Sequence, residues 1–345
     1  MSNVLPLPVA PRDRLRRPMH DLRISVMDRC NFRCPYCMPR ETFHEHYQFL
    51  KPTERLSFEE IARLAHLFVE MGVSKLRLTG GEPLLRPNLS ELIAELGAIE
   101  GVQDIALTTN GVLLEKYATE LKAGGLNRIT VSLDSLDEEV FAQMSGGFHG
   151  RDQVLAGLRA AQQVGLTPIK INAVVQRGVN DHTVLDMLER FRGTGIIVRL
   201  IEYMDVGNRN HWEMPRVLPS RELLERISVR WPVHAMPGNY HGEVAERYAY
   251  DDGAGEIGFI SSVTQPFCGS CSRARLSSEG VLYTCLFATH GLDLKTPLRS
   301  GASDDQLRAL IRNTWEQRDD HYSEQRAKLG NEHPLRKIEM YYIGG

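Results

Sequence analysis

The sequence lacks any run of about 20 apolar residues, the length that a membrane-spanning helix needs. Residues 1–20 are rich in proline and arginine and hold no apolar core of the secretory type, so no export signal is expected and the stretch reads as a flexible arm. A dominant charge sign is also missing. Lys and Arg total 41 against 44 Asp and Glu, a net charge of −3, which argues against a general binder of nucleic acid or of membrane surfaces. Cysteine is scarce, with six in 345 residues, and clustered. That excludes a secreted disulfide framework and points to metal ligation in a reducing compartment. A soluble, cytoplasmic protein is expected. There is no Gly-x₄-Gly-Lys-Ser/Thr phosphate loop, no solenoid repeat and no low-complexity tract.

What is present, after residue 20, is an alternation of strand and helix patterns. Strands are predicted at Leu22–Met27, Lys75–Thr79, Ile105–Thr108, Arg128–Leu133, Ile169–Val175 and Val198–Ile201. Helices are predicted at Phe58–Met71, Leu89–Gly97, Leu113–Ala123, Glu138–Met144, Arg151–Val164 and His182–Phe191. The first helix carries a capping box, Ser57 with Glu60; the second is expected to be capped by Asn88. Repeated βα units imply a parallel sheet with right-handed crossovers. Six units are too few to close an eight-stranded barrel, so an α/β fold with a partial (βα)₆ TIM-like barrel is predicted over residues 21–210. The pattern loosens afterwards, with Pro215, Pro219, Pro232 and Pro237 interrupting it. Residues 211–345 read as a C-terminal extension with one further helix at Asp304–Arg318 and a Gly344-Gly345 tail.

In such barrels active sites gather at the C-terminal strand ends. Several unusual segments fall there: Cys30 to Cys37, Gly80-Gly81-Glu82-Pro83, Thr109-Asn110-Gly111, and Asp134. The cysteines form two triads, Cys30-x₃-Cys34-x₂-Cys37 and Cys268-x₂-Cys271-x₁₃-Cys285. Each is one thiolate short of closing a zinc site or a fully capped four-iron cluster. Zinc sites completed by His44 or His46, and by His290, are the plain alternatives. Arg273 and Arg275, within the second triad, suit a polyanion, because guanidinium binds phosphate in bidentate fashion.

The first triad, with Tyr36 before its last cysteine and Gly-Gly-Glu-Pro after the next strand, resembles the signature of radical S-adenosylmethionine (SAM) enzymes. Adding the second triad, its enclosed Arg-x-Arg and the terminal Gly-Gly, the chain from about Asp21 to Gly345 resembles the GTP 3′,8-cyclase family, which carries out the first step of molybdenum cofactor biosynthesis. The resemblance implies two [4Fe-4S] clusters as cofactors, on Cys30, Cys34 and Cys37 and on Cys268, Cys271 and Cys285. It implies SAM contacts at Tyr36, Gly81, Ser132 and Met204. It implies GTP contacts at Arg23, Arg77, Thr108, Lys170, Arg273, Ala274 and Arg275. It further implies hydrogen abstraction from the GTP ribose at C3′, ring closure on C8, an external electron donor, and a tail that reaches the active site through Tyr341-Tyr342-Ile343. Two positions depart from the family: Met27 and Ala274 stand where threonine is common, so Ala274 offers no hydroxyl for a substrate contact, while the flanking arginines keep their implied role. A homodimer is left open, and no nucleic acid or membrane partner is implied. The rival readings are a radical SAM enzyme with an auxiliary cluster acting on a peptide, and a non-catalytic zinc-binding scaffold.

Overall fold

The computed structural model describes residues 10–329 and 336–344. Its first half follows the predicted alternation. Strands β1 (Asp21–Ser25), β2 (Lys75–Thr79), β3 (Asp104–Thr109), β4 (Arg128–Ser132), β5 (Ile169–Val175) and β6 (Ile197–Glu202) are parallel neighbours in that order. Between them run α1 (Phe58–Glu70), α2 (Leu89–Gly97), α3 (Leu114–Ala123), α4 (Glu138–Ser145), α5 (Arg151–Gln163) and α6 (Val184–Phe191). Helix α1 begins as its sequence dictates: Ser57 Oγ accepts from the Glu60 amide at 3.2 Å, and the Glu60 carboxylate accepts from the Ser57 amide at 2.8 Å. The expected cap of α2 is different. Asn88 takes a left-handed conformation with φ 58°, and its side chain makes no cap bond.

The C-terminal part does not stand beside this sheet; it lengthens it at both edges. After α7 (Ser220–Arg230) come β7 (Val233–Met236), β8 (Glu246–Tyr250) and β9 (Glu256–Ile260), and β9 lies parallel against β6. Strand β10 (Arg273–Leu276) lies parallel against β1, and β11 (Val281–Tyr283) and β12 (Leu292–Asp293) continue outward. The result is one 12-stranded sheet, ordered β12-β11-β10-β1-β2-β3-β4-β5-β6-β9-β8-β7. The six-strand expectation counted only βα units. Strands β9 and β10 have no helix of their own between them, so they left no helical period to mark them.

The remaining helices are α8 (Lys295–Arg299), α9 (Asp304–Glu316), α10 (Tyr322–Leu329) and α11 (Met340–Ile343). Leu76 and Leu78 point outward from β2 and are buried under the helix layer, as are Leu64 and Phe68 of α1. The inward positions of the same strands carry Arg23, Arg77 and Thr79 instead. A filled barrel would place branched apolar residues there.

Of the arm expected at residues 1–20, residues 1–9 lie outside the described residues. Residues 10–20 are packed. Arg17 is buried, pairs with Asp13 at 2.5 Å, and offers its carbonyl to the Trp315 indole N–H at 3.1 Å. The reason is α9, which brings Trp315, 1% exposed, against this segment. No helix among the described residues is long and apolar enough to cross a membrane.

Replacing Trp315 with Ala should lower stability by about 3–5 kcal/mol through the cavity and the lost indole bond. Urea unfolding of the apoprotein would read this as a lower midpoint, and an unchanged midpoint would show that α9 does not clamp the N-terminal segment.

Candidate active site

The strand ends open into one cavity of about 280 Å³, lined by all six cysteines. Cys30, Cys34 and Cys37 sit on the loop after β1. Cys268, Cys271 and Cys285 arrive from the opposite side, on the segment before β10 and the loop after β11. None of the six is in a disulfide. The histidines that could have completed zinc sites are turned away: His44, His46 and His290 are exposed, and His290 Nδ1 bonds Thr289 Oγ1. Among the described residues, no three His, Cys, Asp or Glu side chains converge on a point that would hold a single ion. A four-iron cluster makes a different demand, since each thiolate meets a different iron. Three soft donors around the mouth of one cavity fit such a cluster at the first triad.

The first triad is shaped by close backbone packing. A Cβ on Gly80 would lie 2.3 Å from the Met27 carbonyl oxygen, and one on Gly81 would lie 2.2 Å from that of Arg29. The Gly-Gly pair therefore lets β2's end nest against the cysteine loop, and the Gly81 and Glu82 amides donate to the carbonyls of Met27 (2.6 Å) and Arg29 (2.7 Å). Glu82 is buried, and its carboxylate accepts from Thr109 Oγ1 at 2.6 Å, the Asn110 amide at 2.7 Å and the Leu84 amide at 3.0 Å. Burial pushes its pKa up to about 7, and those three donors oppose the shift. Tyr36 donates its phenol to Asp134 at 2.7 Å, and the other Asp134 oxygen accepts from the Val174 amide at 2.8 Å, so the cysteine loop is tied to β4 and β5. Burial drives all three thiols of this triad upward, Cys30 to about 12 with Glu82 adding to the effect. Tyr36, Gly81, Ser132 and Met204, which the resemblance assigned to SAM, all line this end.

The second triad has the opposite surroundings. Arg273 Nη2 lies 3.1 Å from Cys271 Sγ, and Arg318 Nη2 lies 3.3 Å from it. Burial alone would raise the Cys271 thiol, but Arg273 and Arg318 outweigh it and bring it down to about 6. Cys285, beside Asp320, is pushed up by burial to about 11.

Arg23, Arg77, Thr108, Arg273 and Arg275 line the cavity between the triads. The strand register explains their convergence: Arg275 pairs with Arg23 across β10–β1, and Arg23 with Arg77 across β1–β2. Burial together with Arg275 and Arg77 holds the Arg23 guanidinium well below its usual range. Arg77 donates to Thr108 Oγ1 at 3.0 Å. Two assigned residues fall elsewhere. Ala274 is fully buried in the apolar core, because strand alternation turns it away from its two flanking arginines, so its side chain cannot face a ligand in the cavity. Lys170 does not line the cavity; it is buried below Asn172 on the same face of β5. Burial and the nearby Arg199 and Arg128 lower its pKa to about 7.

Arg128, Arg199, Arg17, Arg318, Asn172 and Ser262 were not foreseen. Asn172 Oδ1 and Ser262 Oγ are buried, line the cavity and have no partner among the described residues. A signal did exist for the strand residues: Arg128-x-Thr130, Lys170-x-Asn172 and Arg199 each place a polar group on one face of an otherwise apolar strand. The tail also reaches the site. Ile343 is buried, Tyr341 joins a small core with Met38 and Phe43, and Arg275 donates to the Gly344 carbonyl. Gly345 lies outside the described residues.

A model of the radical SAM superfamily matches residues 24–191, and one described as Molybdenum Cofactor Synthesis C matches residues 196–324. A GTP 3′,8-cyclase of Xanthomonas campestris pv. campestris is 52% identical over 334 residues, 97% of each chain. Its counterpart from Acidothermus cellulolyticus is 49% identical over 357 residues, covering 97% of this chain and 99% of the relative. That of Staphylococcus haemolyticus is 46% identical over 336 residues, covering 97% and 98%. With that identity over nearly its whole length, and with both triads facing one arginine-lined cavity, the chain belongs to the GTP 3′,8-cyclase family of radical SAM enzymes.

Proposed function

We propose that the protein converts GTP to (8S)-3′,8-cyclo-7,8-dihydroguanosine 5′-triphosphate, the first step of molybdenum cofactor biosynthesis. The observation that carries this reading is the meeting of two cysteine triads across a single cavity with Arg23, Arg77, Arg273 and Arg275 between them. Relatives aligned over 97% of this chain bear the cyclase name. A [4Fe-4S] cluster on Cys30, Cys34 and Cys37, with bound SAM and an external one-electron donor, supplies hydrogen-abstracting radical chemistry when loaded.

The chain's own residues bind, orient and exclude water. Tyr36, Gly81, Ser132 and Met204 form the SAM end. Glu82 and Asp134 fix the loops around it through backbone amides. Arg23, Arg77, Arg273 and Arg275 present fixed cations to a triphosphate, with Thr108 beside Arg77 and the Lys170 ammonium in the layer behind. Such preorganised charge acts in a site shielded from bulk solvent, where it is worth more than at a surface. Cys268, Cys271 and Cys285 hold a second cluster at the substrate end. Residues 21–210 hold the SAM end, and both parts of the chain grip the nucleotide, the first through Arg23, Arg77 and Thr108 and residues 211–345 through Arg273 and Arg275. Side chains with unpaired Oδ1 and Oγ atoms, Asn172 and Ser262, offer acceptors to ligand N–H or O–H groups.

Anaerobic incubation with GTP, SAM and a strong reductant should yield 5′-deoxyadenosine and the cyclised nucleotide together; 5′-deoxyadenosine without any cyclised purine would point to another substrate. Reconstituted protein should carry about eight irons per chain, from two four-iron clusters. The Cys268→Ala variant should keep about four of them and lose GTP conversion, and product at the wild-type rate would remove the second triad from the reaction. Arg275→Ala should weaken GTP binding by about 1.5–3 kcal/mol, the worth of a charge-assisted bond; unchanged calorimetric affinity would take it out of the site.

A further inference from the structure

Two buried arginines near the second triad have no role in the reading above. Arg318, just beyond the end of α9, is 5% exposed, with its guanidinium stacked on Trp315 at 4.6 Å. Its Nη1 donates to the Cys271 carbonyl at 2.8 Å, and its Nη2 to Cys271 Sγ at 3.3 Å. Arg17, 2% exposed, donates through Nη1 to the Cys268 carbonyl at 2.8 Å. Its Nη2 is buried and has no partner among the described residues, and the side chain lines the cavity. A buried guanidinium N–H without an acceptor is costly, so its position beside Cys268 implies an acceptor there when the site is filled.

The first triad shares the arginine bond to a cysteine carbonyl, but among the described residues it has no arginine N–H on a sulfur. Arg33 is close to it, but its guanidinium serves the carbonyl oxygens of Cys30, Phe32 and Phe43 and no sulfur. Cys30 Sγ accepts from the Phe32 amide at 3.4 Å and lies 3.8 Å from Asn110 Nδ2. The buried acids Glu82 and Asp134 line that end of the cavity. At the second triad, Asp13 and Asp320 partner Arg17 and Arg318, and Arg273 and Arg275 add further positive charge.

We infer that Arg318, with Arg17, is a positioning and redox-tuning residue of the second triad, fixing the Cys268–Cys271 turn and donating N–H bonds to its cluster, so that this cluster has a higher reduction potential than the first. The inference rests on the proposal that Cys268, Cys271 and Cys285 hold a cluster. Positive charge and N–H···S bonds favour the reduced, more negative form of an iron–sulfur cluster, whereas neighbouring carboxylates disfavour it. An electron entering the protein would then settle at the substrate end in preference to the SAM end.

The test isolates each cluster. Cys30→Ala protein retains the second cluster alone, and Cys268→Ala protein the first. Redox titration followed by electron paramagnetic resonance should place the second above the first. Adding Arg318→Gln to Cys30→Ala should shift the second cluster's midpoint to lower potential, and Arg318→Lys, which keeps the charge but loses the fork, should shift it less. Adding Arg318→Gln to Cys268→Ala should leave the first cluster's midpoint in place. An unmoved second midpoint in iron-loaded Arg318→Gln protein overturns the inference, as does a second cluster lying at or below the first. If Arg318→Gln does not fold, Asp320→Asn, which removes the facing carboxylate, must raise the second midpoint, and no rise counts against the inference. Cys30→Ala protein that binds no iron would instead refute the second cluster itself.

Discussion

The structure depends on a set of like charges that face one another from buried and half-buried positions on the inner face of the sheet. Arg23, Arg77 and Arg275 occupy adjacent inward positions on three neighbouring strands, with register pairs Arg275↔Arg23 and Arg23↔Arg77. Arg128, Lys170 and Arg199 continue the pattern round the inner face, where Asp104 pairs with Arg128 and Glu243 with Arg199. Burial in low dielectric, with repulsion from Arg128 and Arg199 added to it, holds Arg77 and Lys170 below their usual ranges. The apolar outer face, packed under α1 to α6, supplies the stability that keeps them in place. Charge of this density on one face is unfavourable by itself and complementary to a polyanion, and both follow from the same strand register.

The two halves of the chain make one site because both edges of the central sheet accept a strand from the C-terminal region. β9 on β6 and β10 on β1 lengthen the parallel array, and β10 itself carries Arg273 and Arg275 inward. Main-chain hydrogen bonds fix those arginines to the same frame as Arg23. The second triad flanks β10, so its distance from the first is set by sheet geometry and not by a flexible linker. The tail closes the arrangement: Tyr47 and Tyr341 share a hydrogen bond at 2.9 Å, and Arg275 holds the Gly344 carbonyl.

Much of the site was legible in the sequence. The cysteine spacings, Gly80-Gly81, Tyr36, Ser132 and Met204 fall where strand ends bring them to one mouth, and the βα order predicted which ends those are. Ala274 shows the limit of carrying a motif over whole: period-two alternation, itself readable, puts it in the core between two arginines that face the cavity. Lys170 lies a layer deeper than Asn172, which sequence position alone does not distinguish. Arg17 and Arg318 were missed because they sit outside the strands, in a segment read as a flexible arm and just past a helix end.

By itself the sequence determined the local facts: which residues alternate, where helices begin, and which side chains can ligate iron or phosphate, because these follow from short-range geometry and donor chemistry. The tertiary structure alone decided that β10 joins β1, that Trp315 pins residues near Arg17, and that one triad is ringed by guanidinium while the other is not. Those outcomes depend on contacts between residues some 250 to 300 positions apart, such as Arg17 with Cys268 and Trp315 with Arg17. No local pattern encodes them, since the partners meet only when hydrophobic burial of the whole sheet has paid for bringing them together.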